Sequence, residues 1–222
     1  MLRRAEVDGR RSVRHVRTTV DTHPLSSSPE DLRELAVLFG AQRNTRHCWC
    51  TAFCVSGRQF AAGWFAGGNR RSFERMATTS TTPMGVVASA EGSPVGWCAC
   101  GPRFRYTAAL GGRSRLLRGR SREEDHSVWL IACLFIAATH RNQGIAHSLV
   151  RAAVELARRE GALAIEGWPV VAATPHSADA FLGREEVFRE LGFDCVDRPT
   201  SQRAVMRLDL RGPLRASGLG AD

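Results

Sequence analysis

The residues best placed to do chemistry are Arg141, Gly144 and Ala146, set as an Arg-x-x-Gly-x-Ala turn in Thr139-His140-Arg141-Asn142-Gln143-Gly144-Ile145-Ala146. The turn lies between a continuous apolar run and a long amphipathic segment, the layout of a strand feeding an anion-binding helix. The first turn of such a helix exposes unpaired backbone N–H groups and the positive end of its dipole, so a phosphate or pyrophosphate gains several hydrogen bonds there. A side chain in place of Gly144 would hold the anion away from the backbone. Alone, the pattern is equally that of an ordinary strand-loop-helix corner with a solvated arginine. The flanking sequence decides.

Residues 128–136 carry no charge and are rich in branched and aromatic side chains, as in a strand buried on both faces. After the turn, Ile145, Leu149, Ala152, Ala153, Leu156 and Ala157 recur at helical spacing, with Arg151, Glu155, Arg158, Arg159 and Glu160 mostly opposite. Gly161 supplies the stop. Upstream, residues 85–90, the turn 91–94 and residues 95–100 read as a hairpin.

Together these segments resemble the acetyl-CoA-binding core of the GCN5-related N-acetyltransferases (GNAT), whose Arg/Gln-x-x-Gly-x-Gly/Ala pattern is filled here by Arg141, Gly144 and Ala146. Residues 163–170 resemble the family's next strand, 181–193 its last helix with a Gly-Phe ending, and 204–210 its closing strand. The resemblance spans roughly residues 30 to 210, strongly from 84 onward, and Cys48-Trp49-Cys50 with Gly96-Trp97-Cys98 is similar to a bacterial subgroup. It implies a mixed α/β fold with a strongly twisted central sheet flanked by helices, splayed at the acetyl-CoA site. It also implies that backbone groups of Leu134, Phe135 and Ile136 hold the pantetheine and thioester. The pyrophosphate would then sit on the N–H groups of Asn142, Gln143, Gly144, Ile145 and Ala146, beside Arg141.

Transfer to an amine calls for a base, an oxyanion donor and an acid. The family's frequent tyrosine, four residues before the Gly of the final Gly-Phe, is Phe188 here, and the frequent asparagine seven residues earlier is Phe181. The only tyrosine is Tyr106, so either it folds in, a water acts, or the thiolate leaves unassisted, which a thiol pKa near ~8.5 tolerates. Strand positions that hold Glu or His in some relatives are Leu130 and Ala132. Glu166 is then the leading base candidate, with a carboxylate paired to arginine as the equal alternative. His126, Asp125 and His140 rank below it, and Cys133 reads as a core thiol.

The chain of 222 residues suits one domain at 26–212, preceded by a basic arm at 1–25, with a short alternation at 13–20 able to add an edge strand, and followed by a tail at 213–222. No apolar run approaches the roughly eighteen residues of a membrane span and no secretion signal opens the chain, so a cytoplasmic location is expected. The formal charge is +9, yet all 31 basic residues are arginine, a bias that a GC-rich genome produces, so nucleic acid is not the expected partner. Seven arginines between 103 and 122 would meet coenzyme A phosphates or an acidic acceptor, or more often simply be solvated. The cysteines lack Cys-x-x-Cys spacing, so no metal is expected. Trp49, Phe53, Phe60, Trp64 and Phe65 read chiefly as core, with an acceptor-site cap or a homodimer face as alternatives. The expected activity is acetyl transfer to a small-molecule or protein amine, and the rival is a non-catalytic acyl-CoA-binding module. A dinucleotide fold lacks its Gly-x-Gly-x-x-Gly, and a P-loop lacks its lysine.

Overall fold

A computed structural model describes residues 19–111, 117–171 and 181–211. A seven-stranded sheet forms the centre, in the order β1-β2-β3-β4-β5-β7-β6. The edge strand β1 is Asp21–Pro24, downstream of the alternation expected to supply it, most of which lies outside the described residues. Four helices follow: α1 (Pro29–Gly40), α2 (Arg43–Cys48), α3 (Gly57–Gly63) and α4 (Gly68–Thr79). The first is well specified: Ser28 Oγ accepts the Asp31 N–H at 3.1 Å, Pro29 opens the helix, and Glu30 and Asp31 face its dipole.

The expected hairpin is present as β2 (Gly85–Ala90) and β3 (Ser93–Pro102). Its two-residue turn, Glu91-Gly92, has φ of 50° and 73°, the pair of left-handed residues that matches strand twist. A short helix α5 (Thr107–Leu110) precedes β4 (Val128–Ile136). Helix α6 (Ile145–Arg159) leads to β5 (Ala164–Gly167). Its stop is a Schellman pair: with Gly161 at φ 77°, the Ala162 N–H reaches Ala157 O and the Gly161 N–H reaches Arg158 O. Helix α7 (Glu185–Glu190), shorter than the segment 181–193 expected to hold it, is followed by β6 (Asp194–Thr200) and β7 (Arg203–Asp209).

All strand pairs are antiparallel except β4 with β5. One sheet face buries the apolar stripe of α6, where Leu149, Val150, Ala153 and Ala157 meet Cys98, Trp129, Ile131 and Leu134. Gly96 is required there, since a Cβ on it would stand 3.0 Å from Leu149. The other face packs against α1 and the α2–α4 segment, with Trp49, Phe73, Trp97 and Phe135 at its centre. The aromatic stretch therefore divides: Trp49 is core, Phe53, Phe60 and Trp64 are half-buried, and Phe65 is 76% exposed. Among the described residues no helix is long and apolar enough to cross a membrane.

Candidate active site

β4 is bent by design at its centre. It pairs with β3 regularly from Gly96↔Ile136 to Ala99↔Cys133, but Cys100 then faces Ile131, which makes Ala132 the extra residue of a β-bulge. Ile131 and Leu134 consequently share the α6 face, while Ala132 and Cys133 both turn to the opposite one. At the same level β4 and β5 part. Their parallel pairing runs only from Val128↔Ala164 to Ile131↔Gly167, whereas β4 continues to Ile136.

Beyond Gly167 the chain finds its partners elsewhere. Val170 donates its N–H to Gly183 O at 3.0 Å and accepts from the Glu185 N–H at 3.2 Å, and Val171 donates to Gln202 O at 3.1 Å. Among the described residues, the backbone of Leu134, Phe135 and Ile136 is thereby left without a neighbouring strand on the β5 side. Phe188 fills the base of this gap, its ring fully buried against Gly167 and Gly183.

The anion turn follows directly. Asn142 and Gly144 both take left-handed backbone, φ 59° and 84°, and Gly144 is the N-cap of α6. The His147 and Ser148 N–H groups both donate to Gly144 O, so the first-turn donors of Ile145 and Ala146 precede the intrahelical ladder and project from the helix end. Ile145 anchors the turn in the core, and Arg141 is exposed, its Nε donating to Ile136 O at 3.3 Å. Gln143 is tied to Thr139 O at 3.1 Å. The cofactor residues expected from the sequence therefore form one continuous tract from Leu134 to Ala146.

Glu166, Tyr106 and His126 gather around the turn Arg103–Tyr106 but do not converge on one another, and His140 lies apart at the far end of β4. Glu166 is 4% exposed and doubly engaged, accepting from Arg103 Nη1 at 2.9 Å and Arg207 Nη1 at 3.1 Å. Arg103 itself is fully buried and also donates to Asp125 at 2.7 Å. His126 is exposed at the start of β4, stacked on Phe104 at 4.8 Å. Tyr106 is 1% exposed, its hydroxyl unpartnered, and burial raises the phenol well above its ordinary range. The Arg-rich loop is accordingly not a simply solvated run. Arg103 and Arg120 are neutralised by carboxylates, and Arg105 donates to Pro83 O and Cys100 O. Arg113 and Arg115 lie outside the described residues.

The pairing of Glu166 with arginine, one of the two expected readings, is the one found, but sequence reasoning could not name Arg103 and Arg207 as the partners, because the contacts span 63 and 41 positions. It also missed Trp168, although alternation along β5 puts that side chain on the Glu166 face. Cys133 is half-buried and its thiol meets that of Cys50, a contact that, with burial, holds the Cys50 thiol up. Burial pushes the Cys48 and Cys54 thiols up to about 12, away from the thiolate form.

The family model of the acetyltransferase (GNAT) family matches residues 41–184, well over half of the chain. The chain belongs to that family. Solved structures agree on the fold. The N-acetyltransferase from Staphylococcus aureus Mu50 is similar with a TM-score of 0.53 at 15% identity, over 87% of this chain and 100% of that one. yncA from Salmonella typhimurium, solved with its cofactor acetyl-CoA, gives 0.52 at 12%, over 88% and 96%. The ribosomal-protein-alanine N-acetyltransferase from Brucella melitensis gives 0.51 at 17%, over 85% and 99%. At these identities the likeness is one of fold. No curated protein is similar enough in sequence to match.

Proposed function

We propose that the protein transfers an acetyl group from acetyl-CoA directly to an amine. The observation that carries this reading is the continuity of the tract: a strand edge opened by the Ala132 bulge runs without interruption into the left-handed turn at the head of α6. An extended pantetheine fits the edge of 134–136, and a pyrophosphate fits the N–H groups of 142–146 beside Arg141. When bound, acetyl-CoA supplies an activated carbonyl with a good leaving group. A C–N bond forms, the C–S bond breaks, and the nitrogen gives up one proton.

In this reading the chain orients and excludes water and leaves proton transfer to solvent. Leu130 and Ala132 offer no base, and Glu166 is held by two guanidiniums, so its role is to fix the Arg103 loop against β5 and β7. Phe188 has no proton to give and the Tyr106 hydroxyl is buried in the cluster of Leu130 and Trp168, so the thiolate departs unassisted. The amine that reacts is the fraction already neutral. We also place the protein in a bacterial cytoplasm, within the subgroup marked by Cys48-Trp49-Cys50 and Gly96-Trp97-Cys98, and keep a homodimer as compatible.

The test is thiol release from acetyl-CoA, with and without amines, and the mass of the product. Release that depends on an amine and yields its acetyl derivative is the expected result. Tight acetyl-CoA binding with no release for any amine would favour the binding-module reading instead.

A further inference from the structure

Two thiols from distant parts of the chain meet on the sheet face opposite α6. Cys50 stands in the turn after α2 and Cys133 on β4, and both pack in the cluster of Phe39, Trp97 and Phe135, where their side chains touch. Cys98 and Cys100 also meet, but on the α6 face and both wholly buried, where no solute reaches them. The first pair differs in this respect. Cys133 is half-buried, within reach of a small solute, and Cys50 lies behind it at 8% exposure.

The backbone that presents Cys50 is strained. Trp49 and Cys50 have φ of 49° and 50°, and among the described residues they are the only two non-glycine residues in succession to take left-handed backbone. Surrounding bonds hold the turn in that form: Thr51, fully buried, donates through both its N–H and its Oγ1 to Cys48 O, and the Trp49 indole donates to Arg46 O at 3.1 Å. Strain kept in place this way marks a position where the direction of a side chain matters, and the side chain directed here is a thiol set against another thiol. Cys133, for its part, stands where β4 gives most easily. The ladder with β3 is interrupted at its neighbour Ala132, and Leu134 on its other side begins the edge that would hold the pantetheine. A disulfide brings two touching sulphurs to about 2.05 Å, and an interrupted ladder takes up a small shift more readily than a regular one.

Resting on the transferase reading above for its effect on the cofactor, we infer that Cys50 and Cys133 are a modification site: a dithiol that a hydroperoxide oxidises to a disulfide, drawing Cys133 towards the α2 turn and distorting the Leu134 edge. The Cys133 sulphur attacks the peroxide O–O bond, becomes a sulfenic acid and releases water or an alcohol. The Cys50 thiol then attacks that sulphur, and the sulfenic oxygen departs as water with the Cys50 proton. Two electrons pass from the two sulphurs to one peroxide, and a small-molecule thiol returns them by exchange. Cys133, expected to be a core thiol, thus acquires a reaction partner from a segment that no local pattern connects to β4.

The experiment treats the reduced protein with hydrogen peroxide, removes the oxidant, and measures intact mass, the masses of linked peptides and acetyl-CoA affinity from thermal shift against concentration, in the native protein and in Cys48→Ala and Cys50→Ala. The native protein and Cys48→Ala should each lose about 2 Da as a Cys50–Cys133 link, and Cys50→Ala should form no link to Cys133. Acetyl-CoA affinity should fall roughly tenfold or more in the linked protein, and dithiothreitol should restore it. Phenylarsine oxide, which bridges two neighbouring thiols, should add once to the native protein at the same pair, a readout that needs no substitution. No disulfide, a disulfide only between other cysteines, or a Cys50–Cys133 link that leaves acetyl-CoA affinity unchanged overturns the inference and leaves the transferase reading intact. An absent acetyl-CoA shift in the reduced protein overturns the transferase reading, while the masses still decide whether the disulfide forms.

Discussion

The ring of Phe188 lies so close to Gly167 that a Cβ there would meet its Cε1 at 2.4 Å. This contact seals the base of the gap between β4 and β5, at the position where the family resemblance expects a tyrosine. The ring also touches Gly183, itself at φ 79°, and stacks edge-on with Phe193 at 5.1 Å. Two glycines are therefore the condition for a fully buried aromatic at the base of the opening.

Phe188→Tyr tests whether a proton donor is missing there. With an unassisted thiolate, the hydroxyl should change kcat by less than about threefold, and burying it unpaired should lower stability by about 1–3 kcal/mol. Steady-state kinetics and thermal unfolding measure both. A gain in kcat of a hundredfold or so, in the usual range for an added general acid, would contradict the mechanism.

Glu166→Gln separates a base from a strut. The doubly bound carboxylate predicts a lower melting temperature, while the pH profile of kcat/KM keeps following the acceptor amine. Arg103→Met should destabilise more, by about 3–5 kcal/mol, because it strands buried charge on Glu166 and Asp125. An acidic limb present in the native profile and lost only in Glu166→Gln would make Glu166 the base after all.

Acid should loosen the C-terminal half in a defined way. The hydrogen bond from Arg207 holds the Glu124 carboxyl below its ordinary 4.5, and that from Arg198, with Arg189, does the same for Glu185. Depressed folded-state values mean that this stability is present above pH 4.5 and is lost as pH falls through the lowered values. Melting temperature against pH should decline below 4.5 for the native protein and less steeply for Glu185→Gln. Parallel curves would rule Glu185 out as a contributor.

The stretch from β4 to α6 was readable from sequence because its signals are local. An uncharged nine-residue strand, a glycine turn and a helix of regular period each declare themselves within one element, and the Glu91-Gly92 hairpin does so too. The ion-pair cluster around Glu166 is assembled from distant pieces. Arg103, Glu166 and Arg207 meet through tertiary pairing, which no local pattern encodes. β6 also escaped, since Asp194, Asp197, Arg198 and Pro199 are tolerated only on an exposed edge strand that reads as a loop. The Ala132 bulge, the feature that opens the site, leaves no mark on a strand that is apolar throughout.

The central claim is that the turn at the head of α6 binds acetyl-CoA, and the most direct measurement is the melting temperature with and without it, for the native protein and for Gly144→Glu. At a hundred times the dissociation constant the ligand should stabilise by about 2.7 kcal/mol, roughly 5–10 °C for a chain of this size. Gly144→Glu, with a carboxylate and a strained left-handed residue at the anion site, should melt lower and show no shift. An absent shift in the native protein, or an equal shift in the variant, would contradict the account.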